Sequence, residues 1–294
     1  MPGAGELRVL RRRIRSVKST QKITRAMELI AASRIARARR AVESARPYAE
    51  GITEVMRHLA GEGEVADHPL LNAPDEPKRI GLVVISSDRG LAGAYNSNML
   101  RKSGRFIDQQ REKGREVRIY AIGRKAETFF RYRGEEMTEV WLNMSDRPNY
   151  RDAARVGETV VRAYREEEID RVWLGYTVFR SALTQVATLV QLLPVDPHDL
   201  GEEEQYPPQF LFEPDPVGIL ERLVPRYIEH RIYAGLLESA ASEHASRQRA
   251  MKAATDNANE IVEDLTREAN RARQSAITTE ITEIVGGAEA LSGE

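Results

Sequence analysis

The loop Ser86–Asn96, with the sequence SSDRGLAGAYN, has the residue types that come closest to those of a catalytic or phosphate-binding site. It follows the apolar run Ile80–Ser86, and open α/β sheets bind ligands at the carboxyl ends of their strands. However, its glycines, Gly90 and Gly93, fit neither G-x-x-x-x-G-K-[ST] nor G-x-G-x-x-G. Ser87 also lacks the G-x-S-x-G setting of a strained nucleophile. We therefore interpret the loop as a structural turn, and an α/β enzyme that uses it remains one hypothesis.

The metal-ligating and nucleophilic residue types give no further candidate site. None of the histidines is paired at i, i+4 or lies in an H-E-x-x-H frame, so zinc chemistry has no support. With no cysteine, disulfides, thiolate metal sites and cysteine nucleophiles are excluded. We interpret His244 as a packed polar residue or a register-setting residue rather than a metal ligand. The sequence therefore predicts no catalytic residue, no metal and no cofactor. The histidines are His58, His68, His198, His230 and His244.

Length and composition limit the architecture. The chain has 294 residues, of which 41% are hydrophobic, 30% charged and 6% aromatic. This length allows about two domains, and so few aromatic residues indicate much exposed helix. The apolar stretches Leu82–Ile85 and Val186–Leu193 are much shorter than the ~20 residues that span a bilayer. We therefore expect no direct membrane insertion, and the absence of a secretory-signal pattern predicts a cytoplasmic protein.

The charge is distributed asymmetrically along the chain. Residues 1–46 contain 13 Lys and Arg against 3 Glu, a net charge of +10, whereas the other residues contain 31 basic and 42 acidic side chains, a net charge of −11. Such a split indicates an electrostatic role for the N-terminal segment. Nucleic acid, an anionic membrane surface and an acidic protein all remain open as partners.

The N-terminal segment carries the stripe of a coiled coil, with seam positions spaced alternately by three and four residues. In its middle the stripe becomes polar, and Ile23, Met27 and Ile30, one residue out of register, are expected to take over the apolar role. No Gly or Pro interrupts residues 6–46, and Pro47 is expected to end or kink the helix. The stripe comprises Leu7, Leu10, Ile14, Val17, Gln21, Thr24, Glu28, Ala31, Ile35, Ala38, Val42 and Ala45.

The C-terminal segment repeats this spacing. We expect a helix from Arg226 to Val285, with Pro225 as a kink or as its first turn. Residues 226–294 carry 8 basic and 12 acidic side chains, a charge opposite to that of the N-terminal segment. The two helices are therefore predicted to form a long antiparallel coiled coil. Its second stripe comprises Leu237, Ala241, His244, Gln248, Met251, Thr255, Ala258, Val262, Leu265, Ala269, Ala272, Ala276 and Thr279.

The segment between these helices alternates strands and helices, which predicts an inserted open, largely parallel, Rossmann-like α/β domain. The fold class is thus α/β plus coiled coil, with a coiled-coil helix at 1–58, a globular α/β domain at 78–215 and a coiled-coil helix at 216–294. The predicted strands are Ile80–Ser86, Val117–Ile122, Arg171–Thr177, Thr184–Leu193 and Phe210–Phe212, and the helices are Ala94–Lys113, Lys125–Tyr132 and Tyr150–Glu168.

Three blocks of this sequence resemble one family, the gamma subunit of the F-type ATP synthase. IRSVKSTQKITRAMELIAASRIARARR at Ile14–Arg40 is similar to its N-terminal signature, and ISSDRGLAGAYNSN at Ile85–Asn98 to its first strand and turn. The block Ala241–Leu291, which contains MKAATDNA and RARQSAIT, resembles its C-terminal signature. A cysteine that many members carry in the turn is Ala92 here. The resemblance covers both ends and the middle of the chain in order.

The resemblance implies that the coiled coil is a central rotor shaft, one copy inside a ring of three alpha and three beta subunits. The α/β domain would be a foot that contacts the epsilon subunit and the membrane c-ring. The chain would itself be non-catalytic and bind no nucleotide. It would couple proton flow through the membrane rotor to ATP synthesis or hydrolysis at the beta subunits. Its place would be peripheral, on the cytoplasmic face of the bacterial plasma membrane.

The resemblance also implies roles for individual residues. Beta-subunit catch-loop contacts fall on Arg273, Gln274, Thr278 and Glu280. The family's coupling-sensitive methionine matches Met27, and a basic face that would meet acidic beta-subunit loops includes Arg34, Arg37, Arg39 and Arg40. Contacts with the rotor ring and epsilon fall on Phe210, Phe212 and Glu213. The alternative from another class is a basic coiled-coil protein that binds nucleic acid with a steep salt dependence.

Overall fold

The structure is a computed structural model that describes residues 2–61, 65, 68–72, 76–196, 200, 212–213 and 215–292. It forms two compact units, one of Met1–Ile30 with Gln248–Glu294 and one of Ala31–Arg247. The elements in chain order are α1 (Pro2–Ala60), β1 (Arg79–Ile85), α2 (Tyr95–Glu112), β2 (Glu116–Ile122), α3 (Arg124–Tyr132), β3 (Met137–Trp141), α4 (Tyr150–Arg165), β4 (Arg171–Phe179), β5 (Gln185–Leu193) and α5 (Pro216–Ser292).

The unit Ala31–Arg247 is built on a five-stranded sheet in the order β3-β2-β1-β4-β5. All neighbouring strands are parallel except β5, which pairs antiparallel with β4. β1 reads RIGLVVI and is buried from Ile80 to Ile85, as expected for a central strand that is covered on both faces. The predicted open, largely parallel α/β fold is therefore confirmed.

Each face of the sheet has its own apolar core. α2 and α3 cover one face, with Met99, Ile107 and Phe130 among the side chains packed on β1 and β2. On the other face, residues of α4, of the end of α1 and of the start of α5 pack together against the strands. The turn after β2 requires Gly123, because its φ is +92° and a Cβ would lie 2.4 Å from the Ser86 carbonyl oxygen.

Several element bounds differ from those predicted. α4 ends at Arg165 rather than Glu168, and β3 was not predicted, because a short strand with only half-buried and exposed residues carries little pattern. Of the predicted strand Phe210–Phe212, Phe210 lies outside the described residues and Phe212 is not in a strand. Among the helices that the structure describes, none is long and apolar enough to span a membrane.

Of the two outcomes expected at Pro47, an end or a kink, the end was wrong, because α1 continues through this residue to Ala60. Proline removes one hydrogen bond of the helix, but the turns beyond it are held by packing. Ile52, Met56 and Leu59 are buried in the core on the α4 side of the sheet. Tertiary burial of this face therefore outweighs the local cost of the proline.

The last helix begins ten residues before Arg226, where its regular pattern was expected to start. α5 starts at Pro216, the first residue of the predicted C-terminal segment, and Pro225 lies inside it rather than in its first turn. The start is explained by Asp215, whose carboxylate accepts a 2.7 Å hydrogen bond from the N–H of Gly218, and proline is favoured at the first helical position. The first turns are then buried through Leu220 in the same core.

The unit Met1–Ile30 with Gln248–Glu294 is an antiparallel helix pair. Leu10 packs with Leu265 and Ala269, and the stripe positions between them are buried or half-buried. In the middle the seam stays polar: the Thr24 and Thr255 hydroxyls lie 2.7 Å apart, and the Gln21 side chain donates to that of Asn259. The antiparallel coiled coil is therefore present in this unit.

The expected change of register in the middle of this seam was wrong. Ile23 and Ile30 are 58% and 54% exposed, whereas Thr24 and Glu28 are buried. The polar side chains can stay in the seam because they find partners there, with Glu28 accepting a 2.9 Å bond from Arg25. A buried polar group with a partner costs little, so no shift of the stripe is needed.

Candidate functional site

The last described turns of α5 expose the residues matched to the catch-loop contacts. Arg273, Gln274, Thr278 and Glu280 are all exposed on this helix. The Thr278 hydroxyl donates a 3.0 Å bond to the backbone carbonyl of Gln274, while Arg273 has no ion pair within the described part of the chain. A free guanidinium is well suited to bidentate bonds with a partner's carboxylate.

The same helix end carries an apolar stripe. Ile277, Ile281 and Ile284 are between 48% and 65% exposed, and Val285 is 52% exposed. Spacings of three and four place these side chains on one side of the helix. A contiguous exposed apolar face of this kind is typical of a surface that another protein covers.

Met27 is half-buried on α1, in the same turns as the polar seam residues Thr24 and Glu28. Beside this seam, the same unit has an open groove of about 510 Å³. Its lining combines apolar and charged side chains from both helices, so this part of the helix pair offers an irregular and partly polar surface. The lining residues are Gln21, Lys22, Arg25, Ala26, Leu29, Thr255, Asp256 and Asn259.

The four arginines of the predicted basic face are in two different environments. Arg37, Arg39 and Arg40 are exposed, with Arg39 paired to Glu43 at 3.7 Å on the same helix. Arg34 is half-buried and its guanidinium is paired with Asp146, in the loop between β3 and α4. Three of the side chains can therefore meet a partner, and the fourth binds within the α/β unit.

The residues matched to the rotor ring and epsilon lie just before α5. Phe212 is half-buried against the core on the α4 side of the sheet, and Glu213 is exposed. Phe210 lies outside the described residues. The aromatic ring thus contributes to packing, and the carboxylate points to solvent.

The polar loop after β1 is held by its own hydrogen bonds. The Ser86 hydroxyl donates to the Ile122 carbonyl at 3.0 Å and accepts from the N–H of Ala126 at 2.8 Å. The Ser87 hydroxyl bonds to the Arg89 carbonyl and to the side chain of Asn96. Both serines are fully buried, so the interpretation of this loop as a structural turn agrees with its geometry.

A buried charged cluster lies beside this loop, at residues that the sequence did not single out as a group. Asp146, Glu243 and His244 bring one potential ligand atom each within 4.8 Å of the others. However, Arg34 pairs with Asp146, and Arg247 donates a 2.7 Å bond to Glu243. Because two guanidiniums already neutralise the two carboxylates, the cluster is an ion-pair network rather than a centre for a cation.

Burial sets the protonation states in this cluster. His244 is 2% exposed, and the loss of hydration lowers its pKa to about 4, with the Asp146 carboxylate acting in the opposite direction. Burial likewise raises the pKa of Glu243, which the charge of Arg247 partly offsets. Neutral His244 is therefore a packed polar side chain at neutral pH, as its seam position predicted.

Sequence reasoning missed Asp146 and Arg247 as members of this cluster. The i, i+4 spacing of Glu243 and Arg247 was an available signal for an ion pair on a helix. The contact of Arg247 with the loop after β1 and that of His244 with the loop after β3 join residues about 100 to 160 positions apart in the chain. No local pattern reports such contacts.

The described residues form an exposed, partly polar antiparallel helix pair and an α/β unit, which is the architecture of a coiled-coil protein with an inserted α/β domain. Family comparisons agree with this class: the family model described as ATP synthase matches residues 6–291. The ATP synthase gamma chain of Parafrankia sp. (strain EAN1pec) is 50% identical over 98% of this chain and 99% of its own length. That of Mycolicibacterium smegmatis is 47% identical over 99% of both chains. The chain belongs to the ATP synthase gamma chain family.

Solved structures support the same assignment. The central stalk of the Tetrahymena thermophila mitochondrial ATP synthase matches with a TM-score of 0.63 and 26% identity, over 79% of this chain and 99% of that one. The Euglena gracilis mitochondrial enzyme matches with a TM-score of 0.70 at 18% identity, over 98% and 95% of the two chains, which supports the fold alone. The function is that of an ATP synthase gamma subunit, and no comparison favours the nucleic-acid alternative.

Proposed function

We propose that this chain is the rotating shaft of an F-type ATP synthase, one copy inside a ring of three alpha and three beta subunits, and is not itself catalytic. The observation that carries this proposal is the antiparallel seam of the terminal helices, in which Leu10 packs on Leu265 and Thr24 meets Thr255. Because residues far apart in the sequence share one seam, the two ends of the chain can turn as one element.

Coupling in this proposal is mechanical. A single asymmetric helix pair presents a different surface to each beta subunit at any rotation angle. A bound element shifts a conformational equilibrium only by as much as its contacts differ between the two states. The rotation angle would therefore favour the open or the closed state of each nucleotide site in turn, and proton flow through the membrane rotor would supply or receive the work.

The exposed end of α5 supplies the proposed catch-loop contacts. Arg273, Gln274, Thr278 and Glu280 offer a guanidinium, an amide, a hydroxyl and a carboxylate on exposed turns of one helix. These groups can make directional hydrogen bonds, which change strength steeply with angle. Such bonds would form at some rotation angles and break at others, as a switch of beta-subunit conformation requires.

Other residues would contact the remaining subunits. Arg37, Arg39 and Arg40 would meet acidic beta-subunit loops. Met27 would support the packing of the helix pair, and Arg34 would support the α/β unit through its ion pair with Asp146. We place Phe210, Phe212 and Glu213 at the contact with the c-ring and the epsilon subunit. The complex would then hold the chain peripherally on the cytoplasmic side of the bacterial membrane.

The experiment that tests this function uses the complete enzyme reconstituted with cognate alpha, beta and epsilon subunits. Combining Arg273→Ala with Gln274→Ala should lower ATP-driven proton pumping while the chain still assembles, because the directional contacts with beta are lost. Arg271→Ala is the matched control, since this arginine is exposed on the same helix two residues away. Unchanged pumping in the double variant would refute the catch-contact assignment.

The nucleic-acid alternative is decided by a separate arm of the experiment. The purified chain is titrated with duplex DNA at several salt concentrations, because binding through the +10 segment would weaken steeply with salt. Tight DNA binding at physiological salt, together with failure to join alpha and beta subunits, would overturn the rotor proposal.

A further inference from the structure

The ligand crevice of the α/β fold is occupied here by the protein's own helix. In doubly wound sheets this crevice lies at the carboxyl ends of the strands, at the topological switch point where the strand order reverses. That point falls between β1 and β4, because β2 lies on one side of β1 and β4 on the other. α5 binds directly at the end of β4: the Ser242 hydroxyl donates to the Thr177 carbonyl at 3.1 Å, and Glu238 accepts from the N–H of Phe179 at 3.2 Å.

Arg247 closes the same crevice on the β1 side. Its guanidinium donates to the Gly90 carbonyl at 3.1 and 3.3 Å, to the Arg89 carbonyl at 3.5 Å and to the Glu243 carboxylate at 2.7 Å. The side chains of Arg247 and Glu243 are only 8% and 1% exposed. One buried cation therefore ties the last turns of α5 in this unit to the loop after β1.

The loop that Arg247 holds has a strained backbone. Leu91, directly after Gly90, has a φ of +61°, a conformation that costs a side-chain-bearing residue free energy. Such outliers persist where surrounding contacts fix them. The bonds from Arg247 to the two preceding carbonyls are contacts of this kind, so they orient the loop as well as the helix.

The second terminal helix reaches the same region. Arg34 of α1 pairs with Asp146, and His244 Nε2 lies 3.4 Å from the Asp146 backbone carbonyl. The neighbouring Ser145 bonds to Asp88 of the loop after β1, with 3.0 Å between the two side chains. Both α1 and α5 are thus bonded to two loops that are themselves linked.

We infer that Arg247 is a positioning residue for torque transmission, which fixes the segment Pro216–Arg247 of α5 against the sheet of its own unit. This inference rests on the proposed rotor function. Apolar packing is non-directional. A hydrophobic core therefore opposes the separation of a helix from a sheet more strongly than it opposes sliding of the helix along the sheet. The charge-assisted hydrogen bonds of the Arg247 guanidinium are directional. They oppose sliding of the helix at the crevice where ligands would bind in a related fold.

The test measures protons pumped per ATP hydrolysed by the complete enzyme in vesicles. Arg247→Lys keeps the charge beside Glu243 but loses the fork of donors. We expect normal assembly and ATP hydrolysis, with the pumping ratio lowered about twofold or more, twofold being the lower end of the range in which single residues alter coupling. Arg111→Lys is the matched control, because Arg111 also binds a carboxylate with two bonds, but that carboxylate belongs to Glu135, between α3 and β3, rather than to α5.

A second variant covers the case in which Arg247→Lys does not assemble. Replacing Glu243 and Arg247 together by glutamine removes both charges at similar volume, which leaves no unpaired buried charge. The pumping ratio should again fall, with thermal unfolding close to that of the unmodified chain. An unchanged ratio in an assembled variant overturns the inference. Failure of the unmodified chain to join alpha and beta, or to support any pumping, would instead overturn the rotor function on which the inference depends.

Discussion

The two units of this chain are stabilised by different kinds of interior. The α/β unit buries large side chains on both faces of a sheet, with Leu82, Ile119 and Phe130 fully inaccessible to solvent. The helix pair of Met1–Ile30 with Gln248–Glu294 has a seam of small and polar residues, in which Ala269 and Thr255 are typical. The difference indicates that the sheet provides most of the stability, while the helix pair provides register and an exposed surface.

The largest expected effect is a cavity in the sheet. Leu82→Ala should destabilise the chain by about 3–5 kcal/mol, because a fully buried leucine leaves a void in a rigid core. Leu10→Ala, the matched change in the helix-pair seam, should cost about 2 kcal/mol, because two helices can close over the loss. Urea unfolding followed by circular dichroism measures both. Equal losses would contradict the proposed difference between the interiors.

The next effect is a dependence of the free energy of unfolding on pH, which arises from His244 in the α/β unit. His244 binds a proton near pH 6.5 when unfolded but only near pH 4 when folded. Between these values the unfolded state holds more protons, so acid should lower the free energy of unfolding by about 3 kcal/mol. Burial raises the pKa of Glu243, and this shift contributes to the pH dependence with the opposite sign.

The contribution of His244 to this pH dependence is obtained by comparing the unmodified chain with a variant that lacks the imidazole. The free energy of unfolding is measured from pH 7 to pH 4 for the unmodified chain and for His244→Gln, which keeps a polar side chain beside Asp146, Arg34 and Arg247. The unmodified chain should lose more stability on acidification. Identical profiles would show that His244 is not held neutral by burial.

A smaller effect is expected in the polar seam of the helix pair. Thr255→Val alone should cost about 1 kcal/mol, because the buried Thr24 hydroxyl loses its 2.7 Å bond across the seam and keeps only the one to the Gln21 carbonyl. Thr24→Val combined with Thr255→Val should be nearly neutral, since both hydroxyls of the pair are then replaced by methyl groups of the same shape. Thermal unfolding distinguishes the two. If the double variant were less stable than the single one, the pair of threonine hydroxyls would stabilise the seam rather than only set its register.

The smallest effect on stability is expected at the exposed end of α5. Arg273→Ala should change the free energy of unfolding of the isolated chain by less than about 0.5 kcal/mol, as is usual for an exposed side chain. Calorimetry of the isolated chain gives this value. A loss of several kcal/mol would show that Arg273 supports the fold, and would remove the reason for assigning it to a partner.

Sequence periodicity predicted the regular parts of this fold well. The alternating spacing correctly placed Leu10, Thr24, Thr255 and Leu265 in one seam, because buried positions on a helix repeat with its period. Thr279, the last predicted seam position, is exposed. The apolar run of β1 and the alternation of strands and helices likewise gave the parallel sheet. β3, by contrast, is a short strand with little buried surface, so no local pattern distinguished it from a loop.

The errors arose where tertiary contacts override local rules. Pro47 does not end α1 because Ile52 and Met56 are anchored beyond it, and Ile23 stays exposed because Thr24 finds a partner across the seam. The contacts of Arg247 and Asp146 join distant loops and had no signal in the spacing of residues. The proposed partner contacts came from family resemblance, since exposed residues such as Glu280 carry no structural mark of what they bind.

The most direct test of the rotor account is to observe rotation. The chain has no cysteine, and Tyr132 in the α/β unit is 91% exposed, so Tyr132→Cys provides a single labelling site. A gold particle is attached there, and cognate alpha and beta subunits assembled around the chain are fixed to a surface. The account predicts one labelled chain per hexamer and rotation in one direction while ATP is hydrolysed. ATP hydrolysis by assembled complexes without rotation, or more than one chain per hexamer, would contradict it.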